Sequence, residues 1–263
     1  MLSMMKALAY YLRGSRMMLA FVLVFVFCCS VEAIAVWMHF NVPWFAELGV
    51  VVGFYDGVPS LMVWGSSFVA GSFLAMAHAI FMAAITSDFF KRGYVKNLIQ
   101  AKGGRATLAL SLSLVAWCVL SASVATLMGV AVTEFGTRLA GCAPALPSLA
   151  DFLQWFIQVT LCVSAYSVLT VMAVLLTKSE VAGMVIAISL GAGGVENILR
   201  LLLANIPGLA PALRDCLDGY LAADLSMLGS GAICDPFSYV QSIATIAVAT
   251  ALCVAVAKKR SFA

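Results

Sequence analysis

The sequence predicts an all-α membrane protein with six transmembrane helices. Of the 263 residues, 63% are hydrophobic and only 10% are charged, and the mean hydropathy is +1.06. Apolar runs also recur along the chain, each close to or above the roughly 20 residues that a helix needs to cross the hydrocarbon core. Backbone groups in lipid must be hydrogen-bonded within the chain, so each run is predicted to be helical.

The first predicted element is an amphipathic helix at residues 1–16, which lies along the inner face of the membrane. Apolar positions alternate there with Lys6, Arg13 and Arg16, a pattern typical of interfacial helices. Residues 17–263 are predicted to form a single transmembrane domain. Its predicted spans are at about 17–38, 61–86, 107–132, 152–177, 181–204 and 237–257.

The fifth predicted span contains Gly191-Ala192-Gly193-Gly194, which predicts an interruption because glycines at this density weaken a helix. Between this span and the sixth, leucines recur at four-residue spacing. That spacing predicts short helices on the outer side of the membrane. The leucines are Leu209, Leu213, Leu217, Leu221 and Leu225.

The positions of the basic residues predict the orientation of the chain. Lys and Arg concentrate in loops that stay in the cytoplasm. With six spans both termini lie on one side, and twelve of the fifteen Lys and Arg residues then share that side. The other three, Arg138, Arg200 and Arg214, fall on the opposite side together with most of the acids. Both termini are therefore predicted to be cytoplasmic.

No catalytic or metal-binding residues are predicted. The sequence has no Gly-x-x-x-x-Gly-Lys-Ser/Thr phosphate-binding loop and no His-Glu-x-x-His zinc motif. Its two histidines, His39 and His78, are too few for a typical histidine-rich metal site. We therefore expect a chain that is not itself an enzyme.

Ionisable residues within the predicted spans are the candidates for a transport pathway or gate, because charge in the hydrocarbon core is costly and usually functional. Glu32 either lines a cavity or reaches interfacial water. His78 is either a pathway residue or a neutral histidine packed between helices. Glu196 and Arg200 are spaced i, i+4, so they can pair, either as an outer gate or as a structural pair.

Three cysteines fall in the predicted outer loops. Cys216 and Cys234 bracket the last outer segment and are predicted to form a disulfide if that face is oxidising. Cys142 can pair with either of them instead, because sequence alone does not fix the connectivity.

The segment between spans two and three, residues 87–105, is the most basic part of the chain and holds five of its fifteen Lys and Arg residues. Thr86 or Ser87 is suited to cap the start of a helix there, and Gly103-Gly104 to end it. One interpretation is an anchor on anionic lipid, where each basic residue contributes about 1 kcal/mol near the surface. The other is a cytoplasmic docking surface.

The spacing within this segment favours docking, because it resembles the loop after the second span in type-2 permeases of ABC transporters. In that family an acidic or polar stretch leads to Gly, a basic residue and a Leu-Leu-like pair, and an Arg precedes span three. Tyr94 replaces a frequent Thr, and Asp88 stands slightly further from the glycine than usual. The layout, with a basic N-terminal helix and a broken fifth span, is also similar. The matching residues are Gly93, Lys96, Leu98, Ile99 and Arg105.

This resemblance implies the permease subunit of an ATP-driven exporter in a bacterial cytoplasmic membrane. Two ATP-binding subunits on separate chains would carry ATP and Mg, so this chain would bind no cofactor, and a second permease, identical or related, would complete the path. The implied substrate is amphipathic or hydrophobic, an antimicrobial peptide or drug as in lantibiotic immunity permeases. Nucleic acid is not an expected partner. Residues 88–102 would form a coupling helix, with ATPase contacts at Asp88, Lys91, Arg92, Gly93, Tyr94, Lys96, Leu98 and Arg105.

Two other functions fit the same composition. An ion-coupled secondary transporter would use an intramembrane acid, Glu32 or Glu196, beside a broken helix. A non-transporting assembly or sensor subunit would explain the spans, but it would give no reason for the organised basic segment.

Overall fold

The computed structural model is helical and has no β-strand over the residues that it describes, which are 6, 9–10, 15–47, 57–91, 105–194, 197–198, 201 and 220–259. A π-helical turn (Gly65–Val69) and a 3₁₀ turn (Ala70–Ser72) join the third and fourth helices. In chain order the α-helices of this part are α1 (Arg16–Asn41), α2 (Pro43–Glu47), α3 (Ser60–Trp64), α4 (Phe73–Lys91), α5 (Arg105–Leu139), α6 (Leu149–Thr177), α7 (Glu180–Gly191), α8 (Leu221–Gly229) and α9 (Phe237–Lys259).

Five helical stretches of the described residues are long and apolar enough to cross a membrane, since a helix needs about 20 residues to do so. They coincide with the predicted spans one to four and six. Several long apolar helices of this kind make the chain a membrane-embedded protein. The five stretches are Arg16–His39, Ser60–Phe89, Ser111–Leu139, Leu149–Thr177 and Phe237–Ala255.

The predicted fifth span, 181–204, is not one of them. Its helix, α7, ends after twelve residues at Gly191, and Gly193 adopts a φ of +69°, a left-handed conformation that favours glycine. The interruption predicted at this glycine cluster is therefore present. The described residues thus provide five spans and one short apolar helix, where the sequence predicted six full spans.

The bundle has a buried centre and an exposed periphery. In α6, 78% of the most apolar stretch is buried, whereas in α1 the corresponding share is 19%. The helices α4 and α6 pack on each other at the centre, and α1, α5 and α9 surround them. Large apolar side chains such as Leu23, Phe27 and Leu252 stay exposed on the outer helices. This arrangement suits a surface that faces lipid.

The turn between α6 and α7 has a fixed geometry. Lys178 ends α6 in the left-handed region, with φ of +57°, and Ser179 caps α7 by accepting a hydrogen bond from the Ala182 amide at 3.3 Å. We call this end of the bundle the inner end and the opposite end the outer end, after the predicted topology. Of the predicted N-terminal helix, residues 1–16, Lys6, Ala9 and Tyr10 are described as helical and exposed, whereas Ser15 has an extended backbone and Arg16 is already the first residue of α1.

Candidate functional site

The second span is broken near its outer end. After α3 it passes through the π-helical and 3₁₀ turns before α4 begins at Phe73. Gly71 and Ser72 both have positive φ, +61° and +59°. A positive φ is uncommon for a serine and marks local strain. π-Helical turns are likewise frequent at functional sites. We call residues 60–72 the break.

A short helix packs directly onto the break. Leu221, Leu225 and Leu228 of α8 have no exposed surface. The two backbones approach so closely that only glycine fits: a Cβ at Gly65 would lie 2.7 Å from the Gly229 carbonyl oxygen, and one at Gly229 would lie 2.8 Å from the Ala70 Cα. We call residues 220–235, which contain α8 and its following loop, the outer cap.

Side chains of α6 hold the loop that follows α8. The Trp155 indole Nε1 donates to the Leu228 carbonyl oxygen at 3.0 Å. Gln158 makes two bonds to Cys234, donating from Nε2 to the carbonyl oxygen at 2.8 Å and accepting from the amide at 3.0 Å. Gln158 lies nine residues beyond Leu149, the start of α6, so the loop reaches about 14 Å along this helix. The outer cap therefore dips into the bundle.

The outer cap carries a buried carboxyl group. The Asp224 side chain is 8% exposed, and its Oδ2 has no hydrogen-bond partner of good geometry. The nearby Ser238 Oγ is also buried and unpartnered. Burial raises the pKa of Asp224 above its ordinary value, while the Ser238 hydroxyl and the Cys234 thiol act in the opposite direction. Burial also raises the pKa of the Cys234 thiol to about 12.

A second carboxylate contacts the break and is fully paired. Glu134 of α5 accepts from the Trp64 Nε1 at 3.0 Å through one oxygen. It accepts from the Arg138 Nε at 2.6 Å through the other. Because both oxygens have donors, Glu134 links α3 to α5 and to Arg138. The two acids of the outer end thus differ: both oxygens of Glu134 accept hydrogen bonds, whereas Asp224 Oδ2 is buried without a partner.

A polar cluster lies at the centre of the bundle. His78 has no exposed surface, and its Nδ1 and Nε2 lie 2.6 Å from Ser167 Oγ and 2.8 Å from Ser121 Oγ. The three residues belong to α4, α6 and α5, so the cluster joins three spans. This is the packed, hydrogen-bonded histidine that was one of the two interpretations of His78. We call it the histidine cluster.

The proton count of the histidine cluster limits its chemistry. Each serine hydroxyl is also within hydrogen-bond distance of a carbonyl on its own helix, Trp117 for Ser121 and Val163 for Ser167. A neutral imidazole has one donor and one acceptor nitrogen. One serine must therefore turn its proton from its own helix to the ring, while the other accepts from the ring. Either serine can take either role.

An ion pair joins the inner end of the second span to α7. Lys91, the last residue of α4, donates to Glu180 Oε2 at 2.6 Å. Glu180 is the first residue of α7, so the pair joins the ends of two helices beside the Lys178–Ser179 turn. The Lys91 side chain is 63% exposed, which places the pair in contact with solvent or lipid headgroups.

The predicted coupling segment is described only at its two ends. Asp88 and Lys91 continue α4, and Arg105 is the first residue of α5. No helix starts at Thr86 or Ser87, so that part of the prediction is wrong: the Thr86 hydroxyl donates to the Met82 carbonyl at 2.7 Å, within α4. The other predicted ATPase contacts lie outside the described residues. They are Arg92, Gly93, Tyr94, Lys96 and Leu98.

Most of the predicted gate is not described either. Glu32 lies in α1, but its side chain is not among those described, and Glu196 and Arg200 lie outside the described residues. Cys216 also lies outside them. Cys142 and Cys234 are both buried, and Cys234 is a free thiol in this structure.

An apolar groove of about 800 Å³ lies between α1 and α5. Ser30, Ala33 and Trp37 line one side, and Phe135 and Gly136 line the other. The backbones are close because a Cβ on Gly136 would meet the Cβ of Ala33 at 2.6 Å. The groove is open and almost wholly apolar, so it suits a hydrocarbon chain better than a polar solute.

Sequence reasoning missed the residues that build the outer end. Trp155 and Gln158 were read only as part of span four, and Asp224 only as part of an outer helix. Gln158 carried a usable signal, because a lone amide in an apolar run must find partners within the protein. No protein-family model matches the sequence, and no curated protein matches it.

Proposed function

We propose that this chain is the permease subunit of an ATP-driven exporter, with ATP hydrolysed on separate partner chains. The observation that carries the proposal is that one unbroken helix, α4, joins the break to the start of the basic segment 88–105. The spacing of Gly93, Lys96 and Leu98 in that segment supports docking of an ATPase. A force applied at residues 88–102 would therefore act directly on the second span.

Helix α4 has the properties of a lever in such a mechanism. Its 19 residues span about 28 Å, most of the hydrocarbon thickness. Displacement of its inner end would bend the chain at Gly71 and Ser72, where the helix is already interrupted. The outer cap, which packs on the break, would then move. ATP-driven closure of the partners at the inner end would in this way open an outward path.

The substrate class follows from the apolar character of the bundle. The groove between α1 and α5 accommodates a hydrocarbon chain, and none of the described residues that line it is ionisable. We infer an amphipathic or hydrophobic substrate, of which antimicrobial peptides and lipophilic drugs are examples. A second permease, identical or related, would complete the path in a bacterial cytoplasmic membrane, with both termini in the cytoplasm.

Affinity purification of the full chain from native membranes tests the proposal. We expect an ATP-binding chain to co-purify and to hydrolyse ATP. Lys96→Glu and Leu98→Asp should each reduce the bound ATPase at least about tenfold, as loss of a central interface contact does. Lys178→Asn is the matched control, because it removes an inner basic residue outside the segment and Asn tolerates the left-handed backbone there.

Two results would contradict the proposal. One is that no ATP-binding chain co-purifies with the wild-type protein. The other is that Lys96→Glu and Leu98→Asp retain as much bound ATPase as Lys178→Asn does.

An ion-coupled secondary transporter is the second candidate. The observation that favours it is a buried, unpartnered carboxyl group, Asp224, beside a broken span. This function predicts substrate transport in proteoliposomes that depends on a proton or sodium gradient and needs no ATP. The exporter predicts the reverse dependence.

A further inference from the structure

Asp224 is the one described acid whose buried side-chain oxygen has no hydrogen-bond partner. The carboxyl group points into the region between the outer cap and the start of α9, where Ser238 Oγ is also buried and unpartnered. An ionised carboxylate in such a place has lost its water and gained no cation. A protonated carboxyl group carries one donor and no charge, so it tolerates this place much better.

The surroundings of Asp224 contain no described group that would hold it as an anion. The break, residues 60–72, contributes no ionisable side chain. Helix α6 contributes the Cys162 thiol and helix α9 contributes the phenol of Tyr239, both neutral in ordinary conditions. The outer cap itself contributes the thiol of Cys234 and the exposed carboxylate of Asp235. Neither supplies positive charge.

We propose that Asp224 is a proton-binding site that controls whether the outer cap is seated in the bundle. With the proton bound, the cap packs on the break and the Gln158 bonds to Cys234 form. Loss of the proton leaves a charge in the cap–bundle contact, which favours the state in which Asp224 reaches water. The inference goes beyond the proposed export function and does not depend on an ATPase.

The direction of the pH dependence follows from linkage. Seating raises the pKa of Asp224 above the value of about 3.8 that it has in water, so the seated state binds more protons than the released state. Seating is therefore fully favoured below the ordinary Asp pKa. The preference falls as the pH rises through the window between that value and the raised value, and it stays constant above the window.

The alkylation rate of Cys234 measures release of the cap. This thiol is 3% exposed when the cap is seated, so a membrane-impermeant maleimide reaches it only after release. The full chain is reconstituted in lipid nanodiscs, labelled from about pH 3 to about pH 8 so that the scan starts below the ordinary Asp pKa, and read at Cys234 by peptide mass spectrometry. Dividing each wild-type rate by the Asp224→Asn rate at the same pH removes the intrinsic pH dependence of thiol chemistry.

We expect this ratio to rise with pH by about tenfold for each unit by which seating raises the carboxyl pKa. Asp235→Asn is the matched control: it neutralises the exposed acid eleven positions along the same cap, and it should behave like the wild type. A ratio that is independent of pH would overturn the proposal. So would an Asp235→Asn variant that matches Asp224→Asn.

A second variant keeps the test decisive if Asp224→Asn does not fold. Ser238→Ala removes the hydroxyl that lowers the Asp224 pKa, so the upper limit of the pH window, and with it the midpoint of the rise in Cys234 reactivity, should move upward. An unchanged midpoint in Ser238→Ala contradicts the site. Neither measurement needs substrate or ATP, so the result is independent of whether the export function is correct.

Discussion

The two ends of the second span are held in different ways. At the outer end, glycine backbones of the break and the outer cap touch, and buried side chains of α6 bond to the cap. At the inner end α4 also packs closely on α7, where a Cβ at Gly183 would lie 2.9 Å from the Ala83 Cβ, and beyond that contact an exposed ion pair, Lys91–Glu180, joins the helix ends. Dry, closely packed contacts are costly to break, whereas exposed ion pairs contribute little. The break is thus held more firmly than the last residue of α4.

The contact between the glycines should be the most sensitive point of this contrast. Gly229→Val would place side-chain atoms against the Ala70 backbone, which cannot move aside as a flexible side chain would. We expect a loss of about 3 kcal/mol or more of stability, measured by thermal unfolding in detergent, together with exposure of Cys234. Met227→Val, at an exposed position of the same helix, is the control. Equal losses of stability in the two variants would show that the loss comes from the change in helix propensity and not from the contact with Ala70.

Gln158→Leu should have the next largest effect. It removes both bonds to Cys234 and leaves a buried amide and a buried carbonyl without these partners. We expect Gln158→Leu to lower the free energy of unfolding by about 2 kcal/mol. This is a small value for two unpaired buried polar groups, because each hydrogen bond within a membrane contributes modestly. Gln154→Leu, one turn earlier on α6, should cost less. If both substitutions are neutral, the cap does not depend on α6.

The histidine cluster should be less sensitive than its burial suggests. In His78→Leu the serine that donates to the ring can return its hydroxyl proton to the carbonyl of its own helix, where the other serine can already donate, so no serine is left unpartnered. We expect a loss of about 1 kcal/mol, mainly from the changed shape of the core. Chemical denaturation in mixed micelles measures it. A loss above that for Gln158→Leu would show that the cluster stabilises the bundle more than the cap contact does.

The inner ion pair should show the smallest effect. Lys91→Ala and Glu180→Gln should each change the free energy of unfolding by at most about 0.5 kcal/mol, and the double-mutant coupling should shrink with added salt. A coupling of several kcal/mol would remove the contrast between the two ends. If the proposed function holds, the same substitutions can still alter transport. The ion pair lies at the inner end of α4, which the proposed ATPase would displace.

The sequence predicts the long helices well and their contacts poorly. Runs of about 20 apolar residues locate α1, α4, α5, α6 and α9, because burial of backbone groups in lipid leaves few alternatives. The break was not predicted, because the sequence around Gly65 and Gly71 does not distinguish them from glycines inside an unbroken span. Its partner, Gly229, is far away in the chain and meets it only through the fold.

Local rules also failed where tertiary context changed their meaning. Thr86 and Ser87 suit a helix start by residue type, yet the Thr86 hydroxyl bonds back along α4 and the helix continues. Asp224 was not singled out, although it lies three residues after Leu221 and one before Leu225, which places it on the leucine face of the outer helix. The folded chain buries that face between the break and α9, and that arrangement makes the residue a candidate site.

The histidine cluster has an electrical consequence. The neutral ring of His78 can donate to Ser167 and accept from Ser121, or the reverse, while every carbon, nitrogen and oxygen atom keeps its place. The two arrangements carry opposite local dipoles, one directed toward α5 and the other toward α6. A reversal would thus change the polarisation at the middle of the bilayer without moving a helix.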